Sequence, residues 1–214
     1  MKGDVIIVED HHRSAAREII DRLEPAIRAS DTYILTVAGE SGSGKSETGK
    51  ALADECASRG LSSFVFQQDD YFILPPKSND RKRREDVSWV GTAEVRLELL
   101  DQHLQAARDK QRDVEKPLVD YDADEIGTER VDLSERHVVI AEGTYTTLLE
   151  NVDCRIFIAR TRRDTLESRK KRGREEIEPF LERVLEIEHE IIAPHRERAD
   201  VIINRDYEVS FVDE

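Results

Sequence analysis

Short apolar runs alternate with longer amphipathic stretches along most of the chain. The runs have the length of buried strands, and they cover residues 33–38, 65–66, 137–141, 155–159 and 201–203. The stretches that separate them show helical periodicity at residues 45–59, 94–108 and 180–192. Strands that alternate with helices are typical of a parallel sheet that is covered on both faces. The pattern therefore predicts a three-layer α/β fold with a mainly parallel, five-stranded sheet.

Residues 1–30 precede this alternation and have a pattern of their own. They predict a short strand followed by a helix over about residues 13–28, on which Ala15, Ile19, Leu23 and Ile27 share one face. This segment is interpreted as an added packing or oligomer element, so a homo-oligomer stays open. The rest of the chain contains no repeat or long linker, and its 214 residues predict a single domain over residues 1–214.

Composition and charge narrow the class of protein. Apolar residues make up 38% of the chain and charged residues 37%, which is typical of a globular protein with a highly charged surface. The formal net charge of −14 disfavours binding to nucleic acids and to anionic membranes. Cys56 and Cys154 are too few for a disulfide framework, and the apolar run at residues 5–8 is too short for a signal peptide or a membrane span. A cytoplasmic protein is expected.

A phosphate-binding motif follows the run at residues 33–38. Residues 39–46 match G-x-x-x-x-G-K-[ST] and lie between a predicted strand and a predicted helix, as this motif requires. The glycines allow backbone N–H groups and the helix N-terminus to face a phosphate, while Lys45 reaches the β- and γ-phosphates and the Ser46 hydroxyl ligates Mg²⁺. The motif predicts ATP and Mg²⁺ as cofactors. The predicted nucleotide-binding residues are Gly39, Glu40, Ser41, Gly42, Ser43, Gly44, Lys45, Ser46 and Glu47.

Acidic residues follow two further predicted strands. Asp69 and Asp70 come after residues 65–66, and Glu142 comes after residues 137–141. Because the carboxyl ends of parallel strands open onto one crevice, these acids are expected beside the phosphate loop. A carboxylate there can orient an acceptor hydroxyl and take its proton. The adjacent pair leaves open which aspartate is the base. A cap at the strand end is the alternative role for Asp69 or Asp70, and a solvated loop acid is the alternative for Glu142.

From residue 33 to about residue 206, the chain resembles the uridine kinase and phosphoribulokinase family of P-loop kinases. The resemblance implies a nucleoside-kinase-like fold that transfers the γ-phosphate of ATP to a hydroxyl of a nucleoside- or sugar-like metabolite. It also implies that Asp69 is the base and that Ser46, Asp69 and Glu142 surround Mg²⁺. The segments that carry it are residues 68–71 for Q-D-[ST]-[FY], residues 142–143 for E-G, residues 199–203 for A-D-x-[IV]-[IV], and residues 116–122 with Arg130 for P-x-Y-D…R.

The resemblance also divides the chain by role. It implies an acceptor-binding insertion at about residues 69–132 and a basic lid at about residues 163–178, where Arg169 and Arg174 join Lys45 as catalytic cations. A solvated helix face is the alternative for these arginines. The proline pair and the polar stretch at residues 75–86 predict a loop. The candidate acceptor contacts are Asp70, Tyr71, Trp89, Tyr121, Asp122 and Arg130.

One part of the family pattern is missing. Uridine kinases carry a D-H-P element in the acceptor segment, and residues 85–92 lack it. A site that binds sugar hydroxyls discriminates steeply through such polar partners, so uridine itself is a doubtful acceptor.

Two other function classes are alternatives to a small-molecule kinase. A regulatory GTPase is expected to carry N-K-x-D, and no Asn in this chain precedes a Lys. A regulatory ATPase stays open as an alternative. A polynucleotide-end kinase would need a wider basic surface than the net charge of −14 favours. A small-molecule kinase is the preferred hypothesis.

Overall fold

The computed structural model of the protein describes residues 2, 5–165 and 178–212. Its helices are α1 (Asp10–Ala29), α2 (Lys45–Ser58), α3 (Pro76–Glu85), α4 (Leu97–Arg108) and α5 (Pro179–Ile192). Its strands are β1 (Tyr33–Gly39), β2 (Ser63–Gln67), β3 (Val114–Asp120), β4 (Glu125–Val131), β5 (Val138–Glu142), β6 (Cys154–Ile158), β7 (Val201–Ile203) and β8 (Val209–Phe211).

The main sheet has the strand order β2-β5-β1-β6-β7-β8. The first five of these strands are parallel, and β8 pairs antiparallel with β7. The predicted α/β fold with a mainly parallel sheet is confirmed, with six strands in place of five. The additional strand, β8, has three residues, and the central one is an exposed serine, so it produces no apolar run.

Helices cover both faces of the sheet. Leu35 and Val37 of β1 belong to the core formed with α1 and α2, whereas Ile34 belongs to the core formed with α4. All residues of β1 and β5 are buried, as expected for strands with helices on each face. The carboxyl ends of β1, β2 and β5 therefore meet at one edge, where the loops that follow them come together.

The N-terminal segment differs in part from its prediction. The helix is present, and Ala15, Ile19 and Ile27 are buried against the core that includes α2. It begins at Asp10, three residues earlier than predicted, because Glu9 and His12 form a capping box. The predicted strand is wrong for the described residues 5–9, which adopt no strand and leave Val5 largely exposed.

The region between β2 and β5 contains a second correction. Residues 75–86 were expected to form a loop, but Pro76–Glu85 form the helix α3. Pro76 stands at its first turn, where a missing N–H costs nothing, and Lys82, Arg83 and Arg84 complement the negative C-terminal end of the helix dipole. The helix has no apolar stripe, so hydrophobic periodicity does not reveal it.

A buried ion pair joins this region to the sheet. Asp70 lies in a short 3-10 turn after β2, and its carboxylate accepts from Lys116 Nζ at 3.0 Å and from the Val119 backbone N–H at 3.0 Å. Both charged side chains are 3% exposed. Asp70 thus fixes the β3–β4 ribbon beside the sheet.

We expect Asp70→Asn to destabilise the protein by about 2–4 kcal/mol, because it leaves the buried Lys116 ammonium with less negative charge around it. Urea unfolding measures this change. Asp122→Asn is the matched control, since Asp122 is exposed in the turn between β3 and β4, and it should shift the unfolding free energy by less than about 0.5 kcal/mol. Equal midpoints for the Asp70 variant and the unmodified protein would contradict the assignment.

Candidate active site

The phosphate loop connects β1 to the N-terminus of α2. Gly42 and Gly44 adopt left-handed backbone conformations, with φ of 77° and 100°. A Cβ on Gly44 would lie 2.1 Å from the Tyr207 hydroxyl, so only glycine fits there. Lys45 Nζ donates to the Glu40 backbone carbonyl at 3.0 Å and therefore lies across the loop. Backbone, lysine and helix N-terminus together form an anion-binding loop.

A carboxylate pair stands next to this loop. Glu142 ends β5, which lies between β1 and β2, and it is 4% exposed. Its Oε1 accepts from Ser46 Oγ at 3.0 Å. Asp69 follows β2 and lines the same cavity as Lys45 and Glu142. Burial, and then the negative charge of Asp69, raise the pKa of Glu142 to about 7, although Lys45 opposes this shift.

Gly143, the residue after Glu142, allows the end of β5 to pack closely against the segment that follows β2. A Cβ on Gly143 would lie 2.2 Å from Gln68 Cβ, so the two segments pack more closely than any other residue allows. The Gln68 side chain also accepts from the Tyr145 backbone N–H at 2.7 Å. This contact holds Asp69 and Glu142 on the same side of the sheet edge.

Glu40 links the phosphate loop to α5. Its buried carboxylate bonds His189 Nδ1 at 2.6 Å and accepts from the Arg162 backbone N–H at 2.5 Å. Glu40 was predicted to bind nucleotide, and its side chain instead connects the loop to the helix that walls the cavity. Glu47, also predicted, is buried in the first turn of α2.

A cavity of about 630 Å³ extends from the phosphate loop to α3 and the start of α5. Seven predicted site residues line it: Ser41, Gly42, Lys45, Ser46, Asp69, Tyr121 and Glu142. The structure thus brings together four of the nine predicted nucleotide-binding residues, the three predicted metal ligands and one predicted acceptor contact.

Other predicted acceptor contacts lie elsewhere. Asp70 is buried in its ion pair with Lys116, and Tyr71 is fully buried with its hydroxyl bonded to His103 Nδ1 at 2.7 Å. Arg130 is exposed on β4 and pairs with Asp113 at 2.7 Å. The prediction of acceptor contacts is corrected for Asp70, Tyr71 and Arg130, because none of them lines this cavity. The side chains of Asp70 and Tyr71 are buried against protein partners, and that of Arg130 lies on the exposed surface of β4.

Two further candidates stand beside the cavity without lining it. Trp89 donates its indole N–H to Asn79 Oδ1 at 2.9 Å, so it supports a lining residue. Asp122 is exposed, and its backbone carbonyl accepts from Lys77 Nζ at 2.8 Å. Arg169 and Arg174 fall outside the described residues.

Asn79, Arg83 and Glu188 line the far half of the cavity and form a polar network with Glu94. The Arg83 guanidinium binds both oxygens of the fully buried Glu94, at 2.6 Å and 2.7 Å, and lies 3.4 Å from Glu188. Asn79 donates to the same Glu94 carboxylate at 2.6 Å. These residues come from α3, the turn before α4, and α5. They do not form a short sequence motif, so the sequence does not predict this network.

This half of the cavity also has an apolar lining. Its side chains come from the segment after Asp69 and from the first turns of α5, and they are Phe72, Leu74, Phe180, Leu181, Val184 and Leu185. The Arg84 guanidinium lies 4.6 Å from the centre of the Phe180 ring and also pairs with Asp80 and Glu178. The cavity therefore combines an anion-binding end with a mixed polar and apolar end.

A strand–loop–helix phosphate site with adjacent carboxylates and a second binding region defines a P-loop phosphotransferase. The chain belongs to the phosphoribulokinase / uridine kinase family, whose model matches residues 34–211. The resemblance expected from the sequence is confirmed. The protein is a kinase that phosphorylates an alcohol group of a small molecule.

Individual relatives agree with this assignment. The chain is 30% identical to a uridine kinase of Listeria monocytogenes over 79% of its own length and 85% of that protein. It is 28% identical to the bifunctional alpha-galactosidase/sucrose kinase AgaSK of Mediterraneibacter gnavus, over 83% of its own length and 20% of that larger protein.

The fold is shared with a solved D-glycerate 3-kinase from Cryptococcus neoformans. The TM-score is 0.63, with 14% identity over 95% of this chain and 99% of that one. Among the helices that the structure describes, none has the length and apolar character needed to cross a membrane.

The raised pKa of Glu142 makes a prediction about stability. Because the folded state holds this proton up to about pH 7, against a usual pKa of 4.5, the unfolding free energy of the nucleotide-free protein should fall as the pH rises between these values. Glu142→Gln removes the buried charge while keeping an acceptor for Ser46. We expect it to stabilise the protein by about 1–3 kcal/mol at pH 8 and by much less at pH 5.

Urea unfolding at the two pH values tests this expectation. Glu150→Gln is the matched control, since Glu150 is exposed in the loop that follows the same strand. A gain for Glu142→Gln that is equal at both pH values would show that the buried charge is not the cause.

Proposed function

We propose that this kinase transfers the γ-phosphate of ATP, with Mg²⁺, to a hydroxyl of an uncharged nucleoside- or sugar-like metabolite, with Asp69 as the base. The position of Asp69 carries the proposal. Its carboxylate shares the cavity with Lys45 and Ser46, and among the described residues it has no hydrogen-bond or ion-pair partner. Asp70, its neighbour, is occupied by Lys116. Asp69 is therefore the aspartate available to an incoming hydroxyl.

The phosphate end fits a triphosphate. The loop offers backbone N–H groups, and Lys45 needs only to leave the Glu40 carbonyl to reach the β- and γ-phosphates. ATP is proposed as the donor because membership of the kinase family implies it. Arg169 and Arg174 remain predicted contributors from the lid.

The oxygen donors beside the loop fit Mg²⁺. Ser46 supplies a hydroxyl, and Glu142 and Asp69 supply carboxylates whose mutual repulsion a cation would relieve. Within the described residues, no group of three or more His, Cys, Asp or Glu side chains could enclose a metal, in keeping with an ion that takes its other ligands from phosphate and water. When bound, Mg²⁺ would offset the negative charge of the phosphates.

Asp69 would act on the acceptor. A hydroxyl is a weak nucleophile, and a carboxylate that accepts its hydrogen bond both orients the oxygen towards the γ-phosphate and takes the proton as the new bond forms. The apolar side chains that line the cavity would limit the water beside a bound acceptor, and thereby the hydrolysis of ATP.

The charges of the far half favour an uncharged acceptor. Arg83 is held by Glu94, and Arg84 by Asp80 and Glu178. Arg81 lies 3.6 Å from Asp124. Since the arginines of the described cavity wall already face carboxylates, an anionic acceptor gains little there. Hydroxyl groups, in contrast, can bond to Asn79, Arg83 and Glu188 while a ring or C–H face packs on Phe180.

A panel assay tests this function. ADP release would be followed with nucleosides, neutral sugars, their phosphorylated or carboxylated counterparts, and oligonucleotides with free 5′ ends. We expect a neutral alcohol to stimulate ADP release and to appear as its phosphate monoester in mass spectra. Tight nucleotide binding without stimulation by any alcohol would favour a regulatory ATPase, and stimulation by oligonucleotide ends alone would favour a polynucleotide kinase. The cytoplasmic location and the oligomeric state stay predictions.

We expect Asp69→Asn to lower kcat about 10²- to 10⁴-fold, because the amide cannot accept the proton. ATP affinity should stay within about threefold, since the phosphate loop is unchanged. Steady-state kinetics and nucleotide titration measure both quantities. Near-native turnover of this variant would remove Asp69 as the base.

We expect Glu188→Gln to raise the KM for the acceptor about tenfold, through the loss of a charged hydrogen-bond acceptor, with the KM for ATP unchanged. Glu186→Gln is the control on the same helix, because Glu186 is half-exposed and pairs with Arg183. Equal acceptor KM values for the two variants would exclude Glu188 from the acceptor site.

A further inference from the structure

A tyrosine from the C-terminal end of the sheet lies against the back of the phosphate loop. The Tyr207 hydroxyl donates to the Ser43 backbone carbonyl at 2.8 Å. The same hydroxyl lies so close to Gly44 that a Cβ there would be 2.1 Å away. Tyr207 therefore contacts the two residues that directly precede Lys45.

His12 of α1 fixes the direction of this hydroxyl. The Glu9 backbone N–H donates to His12 Nδ1 at 3.1 Å, so Nδ1 carries no proton and Nε2 does. Nε2 lies 3.1 Å from the Tyr207 hydroxyl and donates to it, and Arg160 Nη1 donates to it at 3.2 Å. A hydroxyl with two donors facing its oxygen must direct its own hydrogen elsewhere, which here is to the Ser43 carbonyl.

The backbone conformation of Tyr207 indicates that the position of this residue is constrained. Its φ is 65°, a left-handed conformation that is costly for a bulky side chain. Asn204 stabilises the turn, because its side chain accepts from the backbone N–H groups of Asp206 and Glu208 at 2.8 Å and 3.0 Å. The ring is also packed against His11, with 4.1 Å between ring centres.

We propose that Tyr207 and His12 are positioning residues for the phosphate loop, and that α1 is thereby a functional part of the nucleotide site. A trans peptide is planar, so its carbonyl and its N–H point in opposite directions. By holding the Ser43 carbonyl, Tyr207 turns the Gly44 N–H away from itself, as a phosphate-binding loop requires. This role rests on the proposed binding of ATP, and it assigns a task to a helix that precedes the family match at residue 34.

Nucleotide affinity tests the proposal. Tyr207→Phe keeps the ring and removes the hydroxyl, and we expect it to raise the Kd for ATP about three- to tenfold, the usual effect of one lost hydrogen bond. The KM for the acceptor and kcat at saturating ATP should stay within about twofold, and the melting temperature should hardly change. If the hydroxyl served only the stability of the fold, its loss would lower the melting temperature and leave the Kd unchanged.

A double-mutant cycle and a control complete the test. His12→Ala should weaken ATP binding by a similar factor, and adding it to Tyr207→Phe should cause little further loss, because both act through one hydroxyl. His11→Ala is the control, since His11 packs on the ring but makes no hydrogen bond to the hydroxyl.

Wild-type affinity in Tyr207→Phe, or fully additive losses, would overturn the proposal. Failure of the unmodified protein to bind ATP would instead refute the proposed function, so the two failures are distinguishable.

Discussion

Two carboxylates held close together beside an anion-binding loop are the constraint on which this site depends. Glu142 is buried and Asp69 is close enough to raise its pKa, while Lys45 only partly offsets the negative charge. The sheet imposes this arrangement, since β5 lies between β1 and β2 and all three end at one edge. In the proposed function, a cation with oxygen ligands would relieve the repulsion, and a nucleotide triphosphate would supply the remaining ligands. Binding of these cofactors would thus compensate the electrostatic cost.

The phosphate loop is held from several sides by contacts that no local motif contains. Glu40 connects it to α5, Tyr207 connects it to the last strands, and His12 extends that contact to α1. The same helix α5 contributes apolar side chains and Glu188 to the far half of the cavity. The phosphate loop and the proposed acceptor region are thus built on shared elements, which suits a transfer reaction that requires both ligands in one orientation.

The sequence predicted the parts that depend on local pattern. The strands around residues 33–38 and 137–141, the phosphate loop, and the acids after β2 and β5 follow from apolar runs and short motifs. Local pattern does not distinguish Asp69 from Asp70, because the two are adjacent in a 3-10 turn and only the folded structure shows which side chain faces the cavity. Helix α3 is not predicted either, because it lacks an apolar stripe. The contacts of Arg83 with Glu188 and of His12 with Tyr207 span 105 and 195 residues, so only the folded chain reveals them.

Proton release on nucleotide binding tests the carboxylate pair most directly. Calorimetry at pH 7 in buffers of different ionisation enthalpy would follow binding of the preformed magnesium complex of a nonhydrolysable ATP analogue. Because burial and the charge of Asp69 raise the pKa of Glu142, binding of the cation should release protons from the site, and Glu142→Gln should abolish this release. Binding without proton release, or equal release by the variant, would contradict the account.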